Sequence, residues 1–150
     1  VNSPYAYNRM QLITMASKGS TTRFGELNVG GARGGAGGNS VRGVWGGGVN
    51  LPSSTMNALI EYVIIASEGN GTNFGELTVA RRNNAEVADS STRAVFCGGI
   101  AADGTAPAAT NYMDYITIAS AGNAVDFGDV TGKIKGQGGC SDSHGGLGGF

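Results

Sequence analysis

Three phrases in this chain are nearly the same: RFGELNV at residues 23–29, NFGELTV at 73–79 and DFGDVTG at 126–132. Their phenylalanines, Phe24, Phe74 and Phe127, stand 50 and 53 residues apart. A chain with such a period is restricted to folds in which each unit covers its apolar faces with the next. The likeness extends well beyond the phrase. One unit reads MQLITMASKGSTTRFGELNVGG and then SVRGVWGGG; the next reads IEYVIIASEGNGTNFGELTVAR and then STRAVFCGG; the last reads MDYITIASAGNAVDFGDVTGK and then DSHGGLGGF. Met10, Ile60 and Met113 coincide, as do Ala16, Ala66 and Ala119, the acids Glu26, Glu76 and Asp129, and the polar set Arg42, Arg93 and His144. The chain therefore divides into three repeats within one domain, roughly 1–48, 49–99 and 100–150.

Each unit reads as strands. IEYVIIA is β-branched and aromatic, too short for a helix, and is stopped by SEGNG. Glu61 interrupts one of its faces, yet Val63 and Ile65 keep the rest apolar, so both sides are expected to be covered. Asn70–Gly71 signals a hairpin into FGELTVA. RAVFCGG is a further strand ending in paired glycines, and NNAEVAD a weaker one. Four short strands per repeat predict an all-β chain of three four-stranded blades, part of a β-propeller. The glycine pairs predict a turn with φ above zero where backbones crowd. The Phe predicts apolar burial between blades. The acid two places on either accepts backbone N–H groups of an adjacent turn or is a solvated edge charge.

The layout resembles that of kelch blades, in which a strand ends in a Gly pair; VWGGG (44–48) and VFCGG (95–99) carry the likeness. Kelch blades usually carry a Tyr and a Trp shortly after the pair. Here Tyr62 and Phe74 are twelve residues apart and Trp45 stands beside the glycines. The N-terminus supplies the last two strands of a blade and the C-terminus the first two. Three blades are fewer than the four to eight of closed propellers. The expected completion is a second chain or a longer parent chain, the other arrangement being an open stack. The absence of an initiator Met reads as processing or as a piece of something longer.

Composition narrows the function. Glycine is 28 of 150 residues, charged residues are 14 % and the net charge is -1. The basic residues are scattered, which argues against nucleic acid, whose binding needs a basic face. No apolar run approaches the roughly 18 residues of a membrane span, and no signal peptide is present. Cys97 and Cys140 belong to no CxxC pair, so they read as free thiols rather than zinc ligands, with a disulfide left open.

Catalytic patterns are sparse. His144 is the one histidine, with Asp142 and Ser143 beside it, and its place in the repeat reads as a structural polar position. TGKIKG (131–136) lacks the Ser or Thr that a phosphate loop needs after Gly-Lys. GGARGGAGG (30–38) reads as a flexible inter-strand loop. GNAVDFGD (122–129) offers oxygen ligands for calcium, but the set does not recur, since Arg23 replaces Asp126. Asn70-Gly71-Thr72 is a formal glycosylation sequon. No catalytic, cofactor or metal residue is assigned.

YITIASAGNAVDFGDV (115–130) and RGVWGGG (42–48) look like a tandem repeat of structural proteins in marine, especially cyanobacterial, tailed phages. The resemblance covers nearly the whole chain. It implies a non-enzymatic virion surface or tail-appendage component, outside the cell, partnered by itself or by other virion proteins and in contact with host-surface glycan. A glycan-binding propeller lectin is the alternative, and a hydrolase built on His144 ranks below it. Trp45 becoming Phe96 and Leu147 across the repeats weakens the lectin reading.

Overall fold

The computed structural model describes residues 8–14, 16–29, 31–51, 53–101 and 106–141, and for 85–88 the backbone alone. The chain is all-β; among these residues one 3-10 turn, Ile65–Ser67, is the whole of the helical structure. It begins with an antiparallel hairpin of β1 (Arg9–Leu12) and β2 (Thr22–Glu26). After the short β3 (Gly31–Ala32) come β4 (Gly35–Gly38) and β5 (Arg42–Gly46). A small hairpin, β6 (Val49–Asn50) and β7 (Thr55–Met56), leads into β8 (Leu59–Ile64) and β9 (Thr72–Glu76). The pattern then repeats: β10 (Arg81–Arg82), β11 (Ala85–Asp89), β12 (Arg93–Cys97), β13 (Ile100–Ala101), β14 (Ala108–Thr117) and β15 (Val125–Ile134). A two-residue strand, β16 (Cys140–Ser141), closes the described chain.

Strands β4-β5-β8-β9 form a four-stranded antiparallel meander. Strands β11-β12-β14-β15 repeat it inside a seven-stranded sheet that curls as a half-barrel, to which β10, β13 and β16 add. The registers match residue for residue. Gly46 faces Ile60 where Cys97 faces Met113. Met10 faces Gly25, Ile60 faces Gly75 and Met113 faces Gly128, and a register shift follows each time, between Met10 and Gln11, Ile60 and Glu61, Met113 and Asp114. The Phe-Gly of every phrase thus sits at a β-bulge, a kink that raises local twist.

Two such meanders are complete among the described residues. The hairpin β1–β2 at the N-terminal end matches β8–β9 and β14–β15 in register. The third Gly pair, His144, Asp142 and Ser143 lie outside the described residues. The expected strand in NNAEVAD is β11 and that in RAVFC is β12. The Gly pairs carry the expected positive φ, at Gly47 and Gly48 (70° and 102°) and at Gly98 and Gly99 (59° and 107°).

One expectation needs correcting. Within GGARGGAGG, residues 31–38 hold two strands, β3 and β4, rather than a flexible loop. Its glycines answer to crowding: a Cβ at Gly34 would lie 2.7 Å from the Trp45 ring nitrogen, and one at Gly38 2.1 Å from the Arg42 carbonyl oxygen.

The core lies between the two meanders. Val44, Ile60, Phe74 and Leu77 of the first face Ala94, Phe96, Ile116 and Ile118 of the second. Each sheet also holds an Arg over a Tyr ring, Arg42 on Tyr62 at 4.6 Å and Arg93 on Tyr115 at 4.7 Å. The recurring Arg positions are therefore packing devices.

Candidate functional site at the module junctions

The most specified part of the molecule is the contact between successive units, and it occurs twice. At the first junction the turn after β8 lies on the edge of β2. Gly69 N–H donates to the Phe24 carbonyl (3.1 Å) and Gly71 N–H to the Glu26 carbonyl (2.8 Å). The Asn70 side chain accepts the Glu26 N–H at 3.1 Å. At the second junction the turn after β14 lies on β9 in the same way. Gly122 N–H donates to the Phe74 carbonyl (2.7 Å), Ala124 N–H donates to the Glu76 carbonyl (2.8 Å), and Asn123 accepts the Glu76 N–H (3.2 Å).

This contact explains the Phe-Gly phrase. A Cβ at Gly25 would stand 1.9 Å from the Gly69 oxygen, and one at Gly75 2.2 Å from the Gly122 oxygen. The glycine is there because the next unit's turn fills the space above it. Of the two readings of the acid, the solvated edge charge is the one seen: Glu76 and Asp129 are exposed, and at Glu26 and Glu76 the main chain, not the carboxylate, meets the adjacent turn. The Glu26 carboxylate instead pairs with Arg23 on the surface at 2.8 Å.

A second contact buries a carboxylate. Glu61 is 1 % exposed and accepts from the Asn28 backbone N–H (2.8 Å) and side-chain amide (2.6 Å) of the preceding unit. Its counterpart Asp114, also 1 % exposed, accepts from Thr78 N–H (3.1 Å) and Thr78 Oγ1 (2.7 Å). Asp114 further takes Arg81 Nη1 at 2.7 Å in a fully buried ion pair. The polar interruption at Glu61 is thus an inter-unit acceptor. Buried charges demand such partners.

A third contact runs through Arg33, Asn83 and Gly136, all with left-handed backbone (φ 66°, 54° and 68°). Asn83 N–H donates to the Arg33 carbonyl at 2.7 Å, and Gly136 N–H to the Asn83 carbonyl at 2.9 Å. Side chains beside these turns bond inward: the Asn84 amide donates to Gly46 O (3.1 Å) and the Gln137 amide to Cys97 O (2.5 Å).

His144 and its neighbours lie outside the described residues. Among the described residues no group of three His, Cys, Asp or Glu side chains could hold a metal. Within GNAVDFGD, Asn123 accepts the Glu76 N–H and Asp126 the Gly128 N–H (2.9 Å), while Asp129 is exposed. Cys97 and Cys140 are both free, the first buried and the second exposed. Burial pushes the Cys97 thiol up from its ordinary value, against smaller downward effects of the Gln137 hydrogen bond and the Arg81 charge. A raised thiol is poor in thiolate and a poor nucleophile.

One groove of about 330 Å³ opens between the β1–β2 hairpin and the first meander, lined by Arg9, Met10, Leu27, Trp45, Glu61 and Tyr62 among others. The equivalent place at the second junction is filled by β5, where a Cβ on Gly46 would lie 2.7 Å from the Phe96 ring. No helix among the described residues is long and apolar enough to cross a membrane. A scan against protein-family models and a search of curated proteins each returned no match.

Sequence reasoning missed the Asn70/Asn123 caps and the Asn28/Thr78 donors. The signal for the first was in plain view, because both Asn follow the Gly of ASxG.

Proposed function

We propose that the chain is a non-enzymatic structural module, three kelch-like blade repeats of a β-propeller, serving in the surface or tail appendage of a phage virion and so acting outside the cell. The observation that carries the scaffold part is the doubled junction. The same main-chain, carboxylate and axial-turn contacts recur at both, so the most constrained residues of the chain serve module against module. Such quasi-one-dimensional stacking gives rigid display surfaces. The curled sheet and the repeated meander suit a propeller. The virion assignment rests on the wording of YITIASAGNAVDFGDV and RGVWGGG. Its test is immunogold labelling: antibody raised against the chain should decorate purified particles of the encoding phage at the tail or surface. Labelling confined to lysate protein, with bare particles, would end the virion reading.

A glycan-binding lectin is the second reading, favoured by the groove that carries Trp45 and Tyr62, since aromatic faces suit sugar rings. A sugar array separates the two. Binding lost in Trp45→Ala would favour the lectin; no binding by the wild type leaves the scaffold.

A further inference from the structure

Among the described residues the two ends of the stack carry opposite halves of the junction, and both are exposed. At the C-terminal end β15 pairs only with β14 among the described residues. Its Phe127 is 50 % exposed and Val125 53 %, whereas Phe74, the same position covered by a following unit, is 3 % exposed. The ring pair is the same in both units: Tyr62–Phe74 at 5.8 Å and Tyr115–Phe127 at 5.9 Å, edge to face. A Cβ at Gly128 would meet nothing closer than the Met113 methyl at 4.0 Å, in contrast to the clashes at Gly25 and Gly75. At the N-terminal end the turn carrying Gly19, Ser20 and Thr21 is exposed, and a Cβ at Gly19 would meet nothing within 4 Å. Ile13 is 60 % exposed, whereas Ile116, its counterpart at the second junction, is 2 % exposed.

The geometry points to a second copy of this chain as the occupant of the β15 edge, docked head to tail through its Gly19–Ser20–Thr21 turn. In that contact Gly19 and Thr21 N–H donate to the Phe127 and Asp129 carbonyls, as Gly69 and Gly71 do to Phe24 and Glu26. Ile13 covers Phe127, and Arg33 N–H donates to the Gly136 carbonyl of the other copy. Charge selects this chain's own head. Ile134 stands where Arg81 stands in the preceding unit, since Gly99 N–H donates to Ile134 O (2.9 Å) as Gly48 N–H does to Arg81 O (2.8 Å). An acidic head there would meet Thr131 and Ile134, which supply neither the Asn28 amide that holds Glu61 nor the Arg81 guanidinium that completes the set on Asp114. The head position equivalent to Glu61 and Asp114 is the neutral Gln11. A head-to-tail contact is heterologous, so copies close a ring or run on as an array.

This inference rests on the scaffold reading's claim that units stack on copies of themselves, and sedimentation of four proteins separates the two. Wild type should sediment above the 15.1 kDa of one chain, in whole multiples. Ile13→Asp and Phe127→Asp, both at sites exposed in the single chain, should each return it to one chain with unchanged circular dichroism. Mixed together, the intact tail of the first should dock the intact head of the second, giving a two-chain complex and nothing larger. A wild type of one chain at every concentration, variants that associate like wild type, or a mixture that stays single would each overturn the inference. Ile116→Asp is the control on the underlying reading. It should unfold the single chain, and if it does so while the other results fail, only the docking is lost; if it is harmless, the stacking claim falls too.

Discussion

Adding one methyl group at each Phe-Gly glycine separates junction energy from local backbone strain. At Gly25 the new carbon would lie 1.9 Å from the Gly69 oxygen, 2.4 Å from its carbonyl carbon and 3.0 Å from Asn70 N. Real contacts of this kind do not fall below 3.0 Å, so the turn must retreat by about 1 Å, far enough to open hydrogen bonds that now measure 2.8–3.1 Å. Three bonds at about 1 kcal/mol each put the loss near 3 kcal/mol for Gly25→Ala. Gly75→Ala opens the matching three bonds and also places alanine at φ 155°. Gly128→Ala, at φ 126°, meets no neighbour closer than 4.0 Å, so it shows the backbone effect alone, about 1–3 kcal/mol. Gly75→Ala should therefore exceed Gly128→Ala by about 3 kcal/mol, which for a chain of this size is a melting-temperature difference of roughly 6–12 °C. Urea unfolding followed by circular dichroism, at dilutions where the chain is single, measures the midpoint and slope. Equal costs for Gly75→Ala and Gly128→Ala, or a Gly25→Ala cost under about 1 kcal/mol, would refute the claim that the next unit's turn dictates these glycines.

Two further outcomes follow from the buried groups. Asp114→Ala leaves the fully buried Arg81 guanidinium without its carboxylate and should cost about 3–5 kcal/mol by urea unfolding, while Arg81→Met with Asp114→Leu should recover much of that loss. Cys97 should resist thiol reagents in the native chain while Cys140 reacts, giving one titratable thiol before unfolding and two after. Because the folded Cys97 pKa lies above its unfolded value, the native state holds the proton longer; this contribution is complete below the ordinary thiol value and declines as pH rises from there through the folded pKa. Cys97→Ala should flatten the alkaline fall in stability, and a fall of unchanged steepness would contradict the assignment.

Local chemistry made the strands legible. Runs such as YVII and RAVF can be read without knowing their neighbours, because β-branched and aromatic residues suit a half-buried pleat wherever they fall. The glycine strands were not legible for the converse reason. Gly34 answers to the Trp45 ring and Gly46 to the Phe96 ring, and the latter demand comes from a residue in the next unit. A window along the sequence sees only flexibility there. The acid of the phrase stayed open between two readings for a similar reason. Its carboxylate invites a functional account, yet at Glu26 and Glu76 the atoms that bind the next unit are the backbone oxygen and nitrogen.

The positions that differ between units are as informative as those that repeat. A buried acceptor occupies Glu61 and Asp114, but its donors change together. Where the preceding unit offers Asn28, a side-chain amide reaches Glu61 and Gly31 stands at the arginine position. Where it offers the shorter Thr78, Arg81 completes the set on Asp114. The Asn28 amide and the Thr78–Arg81 pair are thus two ways of satisfying one buried carboxylate. The third unit has Thr131 and Ile134, with neither the Asn28 amide nor the Arg81 guanidinium, and Gln11 stands at the head position that Glu61 and Asp114 hold in the later units. A neutral Gln11 suits a tail that offers no cation at the Arg81 position, as the proposed docking of head on tail requires.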